Sequence, residues 1–119
     1  MKKCILIFDD DPGILMVCKI ILEQRNYKVE TRSFCDNIIA DIHQAKPDII
    51  LMDLWIPIIG GEEAIRIMKN NKATAHIPVI LFSANAEINA IVQRSNANGF
   101  LQKPFDINTL LTTVENTFM

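Results

Sequence analysis

Five short apolar runs alternate with five helix-like segments along this chain, and this alternation restricts the possible fold more than any other feature. The helix-like segments begin after Pro12, near Ile38, after Gly60-Gly61, near Ile88 and after Asp106, a candidate N-cap. Strands that alternate with helices predict a doubly wound parallel α/β sheet with helices on both faces. The strand-like runs are Cys4 to Phe8, Lys28 to Arg32, Ile49 to Met52, Val79 to Phe82 and Phe100 to Leu101.

Length and composition predict a single domain spanning residues 1–119. A chain of 119 residues that is 50% hydrophobic has enough apolar material for one core. The formal net charge of -2 argues against direct binding of nucleic acid. No apolar stretch reaches the roughly 18 residues of a membrane span.

The three cysteines, Cys4, Cys18 and Cys35, are isolated and lack CxxC spacing. We therefore expect small buried thiols in a reducing compartment rather than a disulfide framework or a zinc site. The first apolar run ends at Asp9, which is too early for a signal peptide. The expected location is the cytoplasm.

Chemically active side chains follow four of the five strand-like runs. In a flavodoxin-like sheet of order 2-1-3-4-5, ligands bind at the carboxyl ends of the strands, where the strand order reverses. The sequence therefore predicts one shared site at that edge. Its candidate members are Asp9 and Asp10 after the first run, Asp53 after the third, Ser83 after the fourth and Lys103 after the fifth.

Acids gathered at one edge need a positive charge nearby. Two like charges about 4 Å apart repel by roughly 4 kcal/mol at an effective dielectric of about 20. Protonation of a carboxyl group or a divalent cation could offset this repulsion, and Mg²⁺ suits a site with few protein carboxylates and a phosphate oxygen. Asp53 is then a candidate nucleophile toward phosphorus, with charge from Lys103 and a hydrogen bond from Ser83.

Some of these residues, and the neighbouring Asp11, also have an ordinary structural interpretation. Asp53 could cap a neighbouring backbone group, Ser83 could be a turn residue, and Asp11 is expected in the turn before a helix. The following Pro104 supports a place for Lys103 in the site, because a cis peptide bond between the two residues could aim the lysine side chain toward the site. The presence of chemically active side chains at four strand ends favours the shared site.

With these residues in place, the chain resembles a receiver domain of bacterial two-component response regulators, the family typified by the chemotaxis protein that switches the flagellar motor. The resemblance covers essentially the whole chain, and its combination of residues is highly specific. The matching residues are Asp9-Asp10, Asp53 with Pro57 and Gly61, Ser83-Ala84, Phe100 and Lys103-Pro104.

The resemblance implies that Asp53 accepts a phosphoryl group from a sensor histidine kinase or a histidine phosphotransfer protein. It also implies that Asp10 and Asp53 bind Mg²⁺ directly, Asp9 through water, and Trp55 through its backbone carbonyl. Lys103 would pair with the phosphoryl oxygens. Ser83 and Phe100 would be the switch residues.

The expected output is a change of partner binding on the face formed by the fourth helix, fifth strand and fifth helix. The downstream effector is a protein that the sequence does not identify. The chain itself is expected to be a monomer or a weak phosphorylation-dependent dimer. Phe100 lacks the hydroxyl of the commoner tyrosine, so its coupling would depend on packing alone. Trp55 and Asn85 occupy positions that tune hydrolysis of the acyl phosphate in the family.

Two other functions remain open at this point. One is a degenerate receiver that acts as a phosphorylation-independent scaffold. The other is a Mg²⁺-dependent aspartyl-nucleophile phosphatase, although Trp55 stands where such a DxDx[TV] motif has its acid/base carboxylate. A flavin-binding protein is disfavoured, since no Gly/Ser/Thr-rich phosphate loop follows the first strand.

Overall fold

The computed structural model describes residues 2–84 and 87–118, and in them strands and helices alternate strictly. This confirms the predicted α/β class. In chain order the elements are β1 (Cys4–Phe8), α1 (Pro12–Gln24), β2 (Lys28–Arg32), α2 (Ile38–Ala45), β3 (Ile49–Asp53), α3 (Gly61–Lys69), β4 (Val79–Ser83), α4 (Ile88–Ser95), β5 (Gly99–Gln102) and α5 (Ile107–Thr117).

The five strands form one parallel sheet in the order β2-β1-β3-β4-β5, as predicted. The strand order reverses beside β1, so the carboxyl ends of β1 and β3 are neighbours at the switch point. The ends of β4 and β5 lie further along the same edge. Loops at this edge can therefore bring the predicted polar residues together.

Apolar side chains cover both faces of the sheet, as the continuous apolar runs require of strands buried on two sides. One cluster packs Phe8 and Leu81 against residues of α2, α3 and α4. The other packs Ile7 and Phe82 against residues of α1 and α5. The sheet that carries the site is thus held rigidly between two helical layers.

The cysteines lie in this core as free thiols, in agreement with the prediction. Burial raises the pKa of the Cys18 thiol to about 11 and that of Cys35 to about 12. Neither thiol is therefore a ready nucleophile.

Side-chain caps fix the starts of several helices. The Asp106 carboxylate accepts a hydrogen bond of 2.7 Å from the Thr109 N–H, which confirms the predicted N-cap of α5. Asp11 caps α1 in the same way through the Gly13 N–H at 2.8 Å. Such a cap typically contributes about 1 kcal/mol.

Small differences from the sequence predictions appear at strand ends and in α5. Asp53 and Ser83 belong to their strands, and pairing with β4 extends β5 from Gly99 to Gln102. Ile107 is one of the apolar residues of the fifth helix-like segment, but it lies in the first turn of α5 and is 55% exposed.

Among the helices of the described residues, none combines the length and apolar character needed to cross a lipid bilayer.

Candidate functional site

Asp53 is the last residue of β3 and is almost fully buried, with 4% exposure. Its strand lies between β1 and β4, and the register pairs Asp53 with Phe82. The Leu54 N–H continues the ladder by donating to the Phe82 carbonyl at 3.2 Å. The carboxylate thus stands on a backbone that is fixed on both sides.

Asp9 and Asp10 follow β1 at the same edge. Asp9 is fully buried, whereas Asp10 is exposed. The Asp9 N–H donates to the Arg32 carbonyl at 3.1 Å, and the Asp9 Oδ1 accepts from the Asp11 N–H at 2.9 Å. The capping residue Asp11 therefore also orients the Asp9 carboxylate.

The structure brings the predicted acids together. Asp9, Asp10 and Asp53 each offer a carboxylate oxygen, and these oxygens lie within 4.8 Å of one another. Lys103 lies among them, with its Nζ 2.8 Å from Asp9 Oδ2 and 3.4 Å from Asp53 Oδ1. Three carboxylates beside one ammonium leave an excess of negative charge, and hard oxygen donors of this kind suit Mg²⁺.

The electrostatics of the pocket follow from burial and crowding. Burial and the charge of Asp9 raise the pKa of Asp53, although Lys103 and the Trp55 backbone N–H act in the opposite direction. For Lys103, burial disfavours the charged form, but the hydrogen bond to Asp9 and the negative charges of Asp53 and Asp9 raise its pKa overall. The ammonium is thus held by the two buried carboxylates.

The backbone at the end of β5 aims Lys103 toward the acids. The Lys103 N–H donates to the Ser83 carbonyl at 2.9 Å, and the Lys103-Pro104 peptide bond is cis. The cis conformation agrees with the possibility that the sequence suggested for this pair. Ser83 and Lys103 are consequently adjacent at the ends of β4 and β5.

Ser83 and Phe100, the predicted switch residues, lie on neighbouring strands. Ser83 ends β4 and is 1% exposed, and Phe100 pairs with Leu81 two residues earlier on β4. Phe100 is 38% exposed, so most of its surface is covered and part of it faces solvent. Because side chains alternate along a strand, the Leu81–Phe100 pairing places Ser83 and Phe100 on the same face of the sheet.

Trp55 and Asn85 were the predicted tuning residues. Trp55 is two residues beyond Asp53 and is 71% exposed. Its backbone carbonyl stays a predicted metal ligand. Asn85 lies outside the residues that the structure describes.

Phe82 contacts the site in a way that the sequence analysis missed. The Lys103 Nζ lies over the face of the Phe82 ring, 4.9 Å from its centroid. Phe82 belongs to an apolar strand and its pattern indicates only core packing. The one available signal was its place directly before Ser83.

Together these features define a class of protein: a doubly wound α/β domain with an acid cluster and a lysine at its switch point. A family model described as "Response regulator receiver domain" matches residues 5–115. The chain belongs to this family, as its sequence resemblance indicated.

Relatives in bacteria support the assignment. The chain is 33% identical over 112 residues to protein PilH of Pseudomonas aeruginosa, covering 92% of this chain and 93% of PilH. It is 35% identical over 112 residues to the DNA-binding dual master transcriptional regulator RpaA of Synechocystis sp., covering 92% of this chain. The chain spans only 46% of RpaA.

A solved structure shows the same fold. It is the receiver domain of a sensor histidine kinase from Pseudomonas aeruginosa, described with a magnesium ion coordinated in its active site cleft. It superposes with a TM-score of 0.86 at 24% identity, covering 98% of this chain and 97% of that one.

Proposed function

We propose that residues 1–119 form one receiver domain that acts as a phosphoacceptor switch in a two-component or phosphorelay system. Asp53 accepts the phosphoryl group from a sensor histidine kinase or a histidine phosphotransfer protein. The observation that carries the proposal is the position of Lys103 Nζ, 2.8 Å from Asp9 and 3.4 Å from Asp53 in one pocket. A nucleophile, a second acid and a cation are thereby within reach of one transferred group.

The proposed reaction is a displacement at phosphorus. An Asp53 carboxylate oxygen attacks the phosphorus of a phosphohistidine, the new O–P bond forms as the P–N bond breaks, and the imidazole nitrogen keeps the electron pair. Such a transfer requires mainly in-line positioning and neutralisation of the phosphoryl charge. The rigid end of β3 provides the positioning, and the Lys103 ammonium contributes to the neutralisation of charge.

The acid cluster is the proposed Mg²⁺ site. Asp10 and Asp53 would bind the ion directly, Asp9 through water, and Trp55 through its backbone carbonyl. Mg²⁺ suits this cluster because three carboxylate oxygens lie within 4.8 Å of one another and because Mg²⁺ prefers hard oxygen ligands. When bound, Mg²⁺ supplies positive charge to the phosphoryl oxygens. The magnesium described for the similar receiver of a histidine kinase supports this assignment.

An apolar surface beside the pocket is suited to the phosphodonor. Met16, Val17 and Ile20 of α1 are 61%, 54% and 50% exposed and lie on one side of the helix. A cavity of about 560 Å³ continues this surface past Val17 to Lys103 and Phe105. An amphipathic helix that carries the donor histidine could cover the apolar residues while presenting its phosphoryl group to Asp53.

Phosphorylation would change the output face through charge. A phosphoryl group adds roughly -1.5 to -2 charges and three strong acceptor oxygens. Ser83 would move toward these oxygens, and Phe100 would turn into the space that Ser83 leaves. The surface formed by α4, β5 and α5 would then change shape for a protein effector or for a weak, phosphorylation-dependent dimer.

The competing functions are less well supported. A scaffold would not need the contact of Lys103 with both Asp9 and Asp53. An aspartyl-nucleophile phosphatase would need an acid/base group two residues beyond Asp53, where the chain has Trp55. We therefore propose that the chain acts as a phosphoacceptor and not as an enzyme with a separate substrate.

The proposal can be tested with Trp55, the only tryptophan in the chain. Its exposed ring should report on ligands that bind next to Asp53. Fluorescence is recorded during titration with Mg²⁺ and then with beryllofluoride, a phosphoryl mimic. Asp53→Asn is the test variant, and Asp36→Asn, an exposed acid elsewhere, is the matched control.

The proposal predicts a saturable Mg²⁺ response and a further beryllofluoride step in the wild type and in Asp36→Asn. The Asp53→Asn variant should lose the beryllofluoride step. A wild type that responds to neither ligand and gains no phosphoryl group from acetyl phosphate would support the scaffold instead.

A further inference from the structure

We propose that Phe82 is a positioning residue, which holds the Lys103 ammonium in the pocket through a cation–π contact. The contact itself is a property of the protein before any phosphoryl transfer. Its consequence for the reaction rests on the function proposed above. A core phenylalanine would thus have a second task that its sequence pattern does not reveal.

The geometry fits an attractive contact. The Lys103 Nζ lies 4.9 Å from the centroid of the Phe82 ring, within the roughly 6 Å over which the face of a ring attracts a cation. The Lys103 side chain is 20% exposed, so the contact is partly shielded from water. Removal of water strengthens cation–π attraction relative to an exposed pair.

The ring cannot easily turn away from the lysine. Phe82 is 1% exposed in the cluster between the sheet, α1 and α5. The Phe105 ring packs against it edge-on, with centroids 6.2 Å apart and planes at 77°. The backbone of Phe82 pairs with Asp53, so the strand that carries the ring also borders the acceptor carboxylate.

A ring contact has an advantage over the two carboxylate contacts. Asp9 and Asp53 are also the proposed oxygen donors for Mg²⁺, and Asp53 is the group that becomes phosphorylated. The contacts of Lys103 with these acids must therefore change during the reaction. Attraction to the ring face extends to about 6 Å from the ring centroid, so the ammonium, now at 4.9 Å, can shift toward phosphoryl oxygens while it stays over Phe82.

A plain packing role makes a different prediction. If Phe82 only fills the core, any apolar side chain of similar size and shape should replace it. Fluorination of the ring separates the two roles, because added fluorine atoms weaken the negative charge of the ring face with little change in shape. The control position is Phe8, which is fully buried in the cluster on the opposite face of the sheet.

The experiment places phenylalanine with one, two or three ring fluorine atoms at position 82 or at position 8 of the full chain. The first readout is the nuclear magnetic resonance shift of the Lys103 ε-methylene group, which a ring face displaces upfield. Phe82→Leu serves as the variant without a ring. The second readout is the rate of phosphorylation by acetyl phosphate with Mg²⁺, with urea unfolding to monitor stability.

The inference predicts that Phe82→Leu abolishes the upfield shift of Lys103. It also predicts that the phosphorylation rate falls step by step with fluorination at position 82, by on the order of tenfold for three fluorine atoms. Fluorination at Phe8 should leave the rate unchanged. Equal trends at both positions, or no trend at position 82 in a protein that is phosphorylated, would overturn the inference.

The two proposals fail in different ways. A wild type that accepts no phosphoryl group contradicts the proposed function. The upfield shift of the Lys103 ε-methylene group then tests the cation–π contact with Phe82 by itself. An ε-methylene shift that is the same in the wild type and in Phe82→Leu overturns the inference, whatever the phosphorylation assay shows.

Discussion

Gly61, the first residue of α3, packs directly against the backbone of Asp53, and a Cβ atom at this position would collide with the Asp53 carbonyl oxygen. The same Cβ would lie 2.9 Å from Leu54 Cα. Both neighbours are backbone, so neither can move without displacing the end of β3. The Gly61 N–H also donates to the Leu54 carbonyl at 2.8 Å. The position of the Asp53 carboxylate therefore depends on the absence of a side chain at residue 61.

We predict that Gly61→Ala destabilises the protein by about 1–3 kcal/mol, the usual cost of overpacking, and slows phosphorylation of Asp53. Urea unfolding and the rate with acetyl phosphate are the two measurements. Gly99→Ala is the control, because its Cβ would meet only the movable end of the Ile80 side chain at 3.2 Å. Equal effects of the two substitutions would contradict the account.

Replacement of Asp53 by asparagine should stabilise the metal-free protein. Burial and the charge of Asp9 raise the pKa of Asp53 above its ordinary value of 3.8. The folded protein therefore holds this proton to higher pH than the unfolded chain, and stability is lost as pH rises through the raised pKa. The free energy of unfolding of Asp53→Asn should exceed that of the wild type by on the order of 1 kcal/mol at neutral pH. The reason is that Lys103 offsets only part of the repulsion between Asp53 and Asp9.

The measurement is urea unfolding of Asp53→Asn and wild type between acidic and neutral pH. The gain should disappear below about pH 3.8, where the wild-type carboxyl is protonated in both states. Added Mg²⁺ should stabilise the wild type more than the variant, because binding to the folded state alone raises its stability. An Asn variant that is less stable at neutral pH would refute this description of the pocket.

The sequence was sufficient to predict that these polar side chains lie together, because they stand where strands end. An apolar strand that stops at a carboxylate, a hydroxyl or an ammonium is visible without any tertiary information, and a parallel sheet brings such ends together. Asp53, Ser83 and Lys103 were found in this way. The bounds of β5 were less clear, because Gly99 and Gln102 are poor strand formers that join the sheet by pairing with β4.

Contacts between distant side chains could not be predicted from local patterns. The ring of Phe82 under Lys103 and the packing of Gly61 on Asp53 both depend on how separate elements meet in space. Periodicity shows which face of a helix is apolar but not where along the helix burial begins, and Ile107 in the first turn of α5 is 55% exposed.

Helices α3 and α4 are joined by an ion pair that such local patterns do not reveal. Arg94 Nε and one of its terminal nitrogens donate to the two carboxylate oxygens of Glu62 at 2.6 Å and 3.0 Å. The hydrogen bond from Arg94 lowers the pKa of Glu62 from its ordinary value of 4.5. The pair therefore contributes stability above about pH 4.5 and loses it as pH falls through the lowered pKa.

A double-mutant cycle with Glu62→Gln and Arg94→Gln should give a small favourable coupling in urea unfolding at neutral pH. The coupling should weaken in high salt and vanish in acid. A parallel cycle on Glu63 and Arg66, which pair within α3, provides the comparison. A Glu62–Arg94 cycle without coupling, or with a coupling that salt and acid leave unchanged, would contradict this prediction.

Lys69 is predicted to be a structural lysine. Its Nζ donates to the carbonyl oxygens of Ala75 at 3.1 Å and Ile77 at 2.9 Å, and to Asn98 Oδ1 at 2.9 Å. Lys69→Met leaves three acceptors without this donor and should cost about 1–3 kcal/mol in urea unfolding. Lys72→Met, at an exposed position of the same connection, should change little. Similar losses for both variants would show that the three contacts are weak.

Mapping of the modified residue shows whether Asp53 is the phosphoacceptor. The wild type is incubated with acetyl phosphate and Mg²⁺, and borohydride reduction then marks any acyl phosphate for peptide mass spectrometry. The account predicts a Mg²⁺-dependent mark on Asp53 alone, absent from Asp53→Asn. A mark on another residue, or none in a folded wild type, would contradict it.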